Sequence, residues 1–158
     1  MEVLTTFCMY CRVFHDLKTK TSEPTSLIVA CPCPEERVSK HGIIEIDKNG
    51  RVTSFLEKPN PSETSSRLQS PCFYIFDTKC QEILGQYLED SKDLPLEKKD
   101  ATGNFLAYLI PKACVHAFNT NGRYDVGNLE SYKDCLKGMA EWNWMISKEN
   151  IVIDFWKD

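Results

Sequence analysis

Three charged residues sit where they could do chemistry. Glu57 and Lys58 are adjacent in Phe55-Leu56-Glu57-Lys58-Pro59, and Asp125 is bracketed by Gly122 and Gly127 in GRYDVG. An acid beside a base suits a ligand that carries both hydroxyls and a phosphate. The carboxylate accepts hydrogen bonds from hydroxyls, and the ammonium neutralises phosphate as a compact point charge. A carboxylate such as Asp125 is a hard oxygen ligand able to hold Mg²⁺, with substrate phosphates supplying further oxygens. Flanking glycines let a bulky ligand approach the backbone closely. The plain alternatives are that Glu57 and Lys58 are solvated residues closing a hairpin, and that Asp125 is a turn or capping acid.

The elements that must position these residues can be read from periodicity. His41 to Pro61 (HGIIEIDKNGRVTSFLEKPNP) gives two β-branched runs joined at Asp47-Lys48-Asn49-Gly50, and Asn49-Gly50 is a strong hairpin signal. The second strand delivers Glu57 and Lys58 to its own end, where Pro59 halts ladder pairing. Ahead of the hairpin, Val3, Phe7, Tyr10, Phe14 and Leu17 predict an amphipathic helix over residues 1–18. Ser26 to Cys33 (SLIVACPC) predicts a strand buried on both faces.

Beyond the hairpin, residues 60–69 read as a loop and Ser70 to Phe76 (SPCFYIF) as a buried strand. Thr78 and Gln81 suggest a capping box opening a helix with Cys80, Ile83, Leu84, Tyr87 and Leu88 as its stripe. Residues 90–100 are charged and turn-prone. Asn104 to Ile110 predicts a short buried helix stopped by Pro111, and Ala113 to Asn119 a strand. Asn128 caps a helix carrying Leu129, Tyr132, Leu136 and Met139, and residues 141–158 form an aromatic tail. Helices alternating with strands imply an α/β sheet, beyond whose strand ends Glu57, Lys58 and Asp125 could face one cleft.

Composition narrows the function classes. At 158 residues the chain suits one domain, and its net charge of −4 with no basic block argues against a general nucleic-acid binder. No stretch approaches the length of a membrane span and no secretory leader is visible. The eight cysteines lie in or beside apolar runs rather than in a loop framework, which points to free thiols in a reducing, cytoplasmic setting. Cys8/Cys11 and Cys31/Cys33, with His15, His41 and His116 scattered, fit buried or adventitious thiols better than a zinc site.

His41-Gly42, the FLEKP block and Gly122 to Tyr132 (GRYDVGNLESY) together resemble the sugar-1-phosphate nucleotidylyltransferases, which make nucleotide sugars such as dTDP-, UDP- or ADP-glucose. The resemblance covers about Ser26 to Lys137. It implies a Rossmann-like three-layer α/β/α fold with a mixed sheet and the N-terminal portion missing. It divides the chain into a partial nucleotidyltransferase domain, 1–140, and a tail, 141–158.

By the same resemblance Gly42, through its backbone, and Glu57 contact sugar hydroxyls, while Lys58 holds the sugar phosphate. Asp125 is a carboxylate on a catalytic Mg²⁺, with Lys58 and Asp125 the catalytic pair. Sugar 1-phosphate and nucleoside triphosphate are the partners implied, with a homo- or hetero-oligomer as a further expectation.

The departures matter as much. The glycine-rich segment close to GGxGTRLxPLT, which holds the triphosphate through backbone N–H groups, is not found here, nor is the aspartate of an earlier Gly-Asp turn. Where the family usually has glycine before tyrosine, as in GIY, this chain has Cys72-Phe73-Tyr74. Three expectations follow: a fragmentary enzyme inactive alone, a truncated form of an active enzyme, or a non-catalytic regulatory or interaction protein derived from the fold.

Overall fold

The structure is a computed structural model that describes residues 2–99, 102–120, 129–130, 132–133 and 135–137. The chain divides into two compact units, Met1–Asn121 and Gly122–Asp158. In the second unit the described residues, between 129 and 137, are helical, in line with the periodicity read there; Asn128 and the tail lie outside the described residues.

The first unit is built on strand β1 (Thr25–Pro32), whose residues are buried as far as Cys31. A strand with an apolar run and no polar alternation must be covered on both faces. Leu27 and Val29 point to one side, where Tyr10, Val13, Phe14 and Leu17 of helix α1 (Glu2–Thr19) cover them. Ile28 and Ala30 point to the other, into a core shared with Leu106 and Leu109 of helix α4 (Thr102–Leu109) and Cys80 and Ile83 of helix α2 (Cys80–Asp90). Helices therefore lie on both faces of the sheet, giving three α/β/α layers.

The sheet has six strands and is mixed. β1 pairs in parallel with β6 (Cys114–Asn119) and antiparallel with β4 (Leu68–Gln69) and β5 (Tyr74–Phe76). The hairpin of β2 (Gly42–Ile46) and β3 (Val52–Glu57) joins through β4, where Ile43 pairs with Gln69. Its connection is organised by Asp47, whose Oδ1 accepts the N–H groups of Asn49 at 2.8 Å and Arg51 at 2.9 Å. Gly50 takes the left-handed conformation, φ 80°, that closes such a connection at no steric cost.

Several local expectations are corrected. β4 interrupts the stretch expected to be loop; two residues are too few to show periodicity, and pairing on both edges makes them a strand. The strand expected over 70–76 is regular only from Tyr74, because Cys72 adopts φ 61°, outside the β region, and it is half-exposed rather than buried. The Thr78/Gln81 capping box does not form. Asp77 serves instead: its carboxylate accepts the Lys79 N–H at 3.3 Å and the Thr78 hydroxyl at 3.1 Å, and its carbonyl accepts the Cys80 N–H at 2.9 Å. Leu84 and Leu88 of the expected stripe are exposed, since the helix buries the narrower face of Cys80, Ile83 and Tyr87. The charged stretch contains one helical turn, α3 (Leu96–Lys99), and Pro111 ends α4 in a 3-10 turn as its missing N–H requires.

Two predictions follow from this packing. Asp77 is buried and takes a 3.0 Å hydrogen bond from Lys18 Nζ, which holds its carboxyl below the usual aspartate range. A carboxyl depressed in the fold stabilises it above the unfolded pKa, and that stabilisation is lost as pH falls through the folded value. Lys18→Met is expected to lower the urea midpoint at neutral pH and to start acid unfolding at a higher pH, with the two proteins converging well below the aspartate range of about 4. An equal difference at both ends of the pH range would show that Lys18 acts by packing alone.

At Cys72 the left-handed backbone disfavours any side chain and a β-branched one most. Cys72→Gly should leave stability within about 1 kcal/mol of the parent, while Cys72→Val costs about 1–3 kcal/mol, read by urea unfolding.

Candidate functional site

Strand pairing sets the position of Glu57. It lies opposite Gly42, and the bond from the Lys58 N–H to the His41 carbonyl, 3.1 Å, marks Gly42 and Glu57 as a pair without mutual hydrogen bonds. Side chains of such pairs approach more closely than those of bonded pairs. Gly42 offers no side chain, and the ring of Phe55, two residues before Glu57 on the same face, fills the space instead. A β-carbon at Gly42 would lie 2.8 Å from Cε1 of that ring. The Gly42 carbonyl accepts the Ser70 N–H at 2.9 Å, which ties the hairpin to the segment leading into β5.

Lys58 would point to the opposite face from Glu57 if the strand continued. It does not continue. Lys58 adopts φ 48°, ahead of Pro59, and its Nζ comes to 4.0 Å from Oε1 of Glu57. The two side chains are 63% and 36% exposed, so their mutual attraction is worth only about 0–1 kcal/mol. Both heads therefore remain able to exchange that contact for a ligand.

Two further residues border Glu57 that periodicity did not single out. The hydroxyl of Tyr74 accepts a 3.1 Å hydrogen bond from Ser70 Oγ. Burial, opposed by that bond and reinforced by Cys72 and Glu57, pushes Tyr74 up to about 12, so it stays a neutral O–H donor across the physiological range. Gly103, the second residue of α4, lies against both Glu57 and Phe55. Tyr74 was legible as the tyrosine of the Cys72-Phe73-Tyr74 block. Gly103 carried no signal, since it precedes the helix expected over Asn104 to Ile110, whereas the observed helix already includes it.

The structure thus brings together Gly42, Glu57 and Lys58, as the sequence implied. Asp125, assigned to Mg²⁺, lies outside the described residues. Among the described residues no group of three or more His, Cys, Asp or Glu side chains could hold a metal ion. Cys31 and Cys33 are buried and Cys11 is exposed. No helix among the described residues is long and apolar enough to cross a membrane.

The chemistry of this arrangement suits a polyol phosphate. Glu57 would accept from hydroxyls, Lys58 would neutralise phosphate, and Tyr74 would offer a proton donor on the same side.

Comparison with known proteins bears on the family and the fold. A glucose-1-phosphate adenylyltransferase from Granulibacter bethesdensis is 31% identical, over 63% of this chain and 27% of its own length. Among solved structures, apo UDP-glucose pyrophosphorylase matches 84% of this chain with a TM-score of 0.60 and 22% identity. A UDP-glucose pyrophosphorylase complexed with UDP-glucose matches 74% with a TM-score of 0.58 and 23% identity. A UTP-bound UGPase from Acinetobacter baumannii matches 90% with a TM-score of 0.57 and 17% identity. These likenesses show the fold, and the chain spans 44 to 49% of those structures. The nucleotidyl transferase profile matches residues 8–141, most of the sequence, and the chain therefore belongs to the nucleotidyl transferase family.

Proposed function

We propose that this chain carries the sugar-1-phosphate half of a nucleotidyl-transfer cleft. The observation that supports the reading is the meeting of Glu57 and Lys58 at one strand end, beside Gly42 and Tyr74, in a member of this family. A hexose 1-phosphate is the substrate class that uses all of them: Glu57 orients hydroxyls, the Gly42 backbone allows close approach of the ring, and Lys58 takes the phosphate. Glucose 1-phosphate is the first candidate, since the names of the relatives contain it or UDP-glucose.

In the transfer itself, an oxygen of the sugar phosphate attacks the α-phosphorus of a nucleoside triphosphate. The new P–O bond forms as the α–β phosphoanhydride breaks, and pyrophosphate leaves with the electron pair. Alignment and charge neutralisation do most of the catalytic work in such reactions. Lys58 would hold the attacking phosphate and lower the repulsion between two polyanions. Mg²⁺, which Asp125 would help to hold, would supply further neutralisation of the phosphates. The 158 residues contain no GGxGTRLxPLT-like segment to hold the triphosphate, so on their own they are proposed to bind sugar phosphate without transferring a nucleotidyl group.

A second reading, a non-catalytic interaction protein, draws support from β5. It ends the strand order, and its outer edge meets no strand among the described residues. Unpaired edges invite association.

A calorimetric titration with glucose 1-phosphate is expected to show saturable binding. Lys58→Ala should weaken it about tenfold or more, as loss of a charge-assisted phosphate contact does, while Lys48→Ala at the hairpin tip leaves it unchanged. Equal loss in both variants would reduce the effect to general charge.

The 158-residue chain mixed with glucose 1-phosphate, Mg²⁺ and UTP, dTTP or ATP should release no pyrophosphate above a protein-free blank. Release that disappears in Asp125→Ala would refute the half-site reading. No sugar-phosphate binding, together with elution above monomer mass, would favour the interaction protein.

A further inference from the structure

We propose that Gly103 is a positioning residue for Glu57: the bare first turn of α4 is the wall against which the carboxylate is set. The inference rests on the sugar-phosphate reading for what Glu57 does, but not for how Glu57 is held.

A β-carbon on Gly103 would collide with Oε2 of Glu57 and with Cε1 of Phe55, and would lie 3.2 Å from Cδ1 of the same ring. Relief could come from the helix, the ring or the carboxylate. The helix is fixed, because Leu106 and Leu109 are fully buried in the main core and Gly103 itself is buried. The ring is nearly fixed, because it already occupies the space that a side chain at Gly42 would take. Phe55 thus lies against two glycines from two different elements. The carboxylate alone is free to retreat, being the end of a flexible chain and partly exposed. A methyl group at position 103 would therefore act first on the direction of Glu57.

The placement has a physical logic beyond space. The N-terminal turn of a helix presents N–H groups without intrahelical partners, and a nearby carboxylate is favoured there. Glycine is also a poor helix former, so its presence in a short, buried helix calls for a contact that excludes a side chain. Strand β3 determines where Glu57 starts, and α4 determines where its carboxylate ends. Nothing in the FLEKP block itself encodes the second half of that geometry.

The test uses the full chain with labelled glutamate, the Glu57 carboxyl carbon resonance being assigned by its loss in Glu57→Gln. In Gly103→Ala that resonance is expected to shift, and affinity for glucose 1-phosphate to fall about tenfold. Because the added methyl also presses on Phe55, the double variant Phe55→Leu/Gly103→Ala separates fold from position. Its unfolding temperature should return to that of Phe55→Leu alone, while the shifted resonance and the weakened binding persist. Binding that recovers together with stability would overturn the proposal, as would an unmoved Glu57 resonance in Gly103→Ala. A moved resonance in a protein whose parent does not bind glucose 1-phosphate would refute the sugar-phosphate reading and leave the hold of Gly103 on Glu57 standing.

Discussion

The first unit depends on one strand being buried on both faces. β1 pairs with β4, β5 and β6 alike, and its two sets of side chains anchor the helices on opposite sides of the sheet. Burying backbone so deeply is tolerable only if its N–H and C=O groups are paired. Pairing on both edges satisfies them: β6 runs along one, and β5 and then β4 along the other. The split between β5 and β4 leaves room for the segment of Ser70 to Phe73, which returns to the sheet through the bond from the Val29 N–H to the Phe73 carbonyl. The site lies beside that interruption.

This arrangement explains why the hairpin is more than a surface ornament. β2 and β3 reach the central strand through the two residues of β4, and their connection also touches β6, where Arg51 bridges His116 and the Ala117 N–H donates to the Gly50 carbonyl at 2.9 Å. Their orientation is set largely by packing, with Ile44, Val52 and Phe55 in the main core beneath α4. The same contact that seats the hairpin also seats Glu57, so stability and ligand geometry share one set of atoms. Changes in Phe55 or Gly103 would be felt in both.

Much of this was legible in the sequence, and for physical reasons. Periodicity announced α1, β-branched runs around Asn49-Gly50 announced the hairpin, and continuous apolar runs announced β1 and the buried helix before Pro111, because each pattern of burial survives in one dimension. The partnership of Gly42 with Glu57 was legible too, since both lie in motifs of a recognisable family. The unreadable parts were those fixed by tertiary pairing. β4 is a strand only because β1 and β2 flank it, and Asp77 replaces the expected cap because Lys18 from α1 holds its carboxylate in place. The closeness of Gly103 to Glu57, forty-six residues away in the chain, leaves no local pattern at all.

Among the described residues, the two non-glycine residues with left-handed backbones, Lys58 and Cys72, both border the candidate site. Such conformations cost about 1–2 kcal/mol each and persist where the surrounding structure fixes them. At Lys58 the benefit is visible, since the turn brings to one side two adjacent residues that a strand would have parted. At Cys72 the turn ends one segment and starts β5, so that Tyr74 can reach the hydroxyl of Ser70. The family usually has glycine there, the residue for which this conformation is nearly free. Cysteine in the same backbone keeps the path of the chain and adds a thiol beside Tyr74, where it opposes ionisation of the phenol. Cys72 therefore adds a side chain beside Tyr74 without altering the hydrogen bond between Tyr74 and Ser70 that the turn allows.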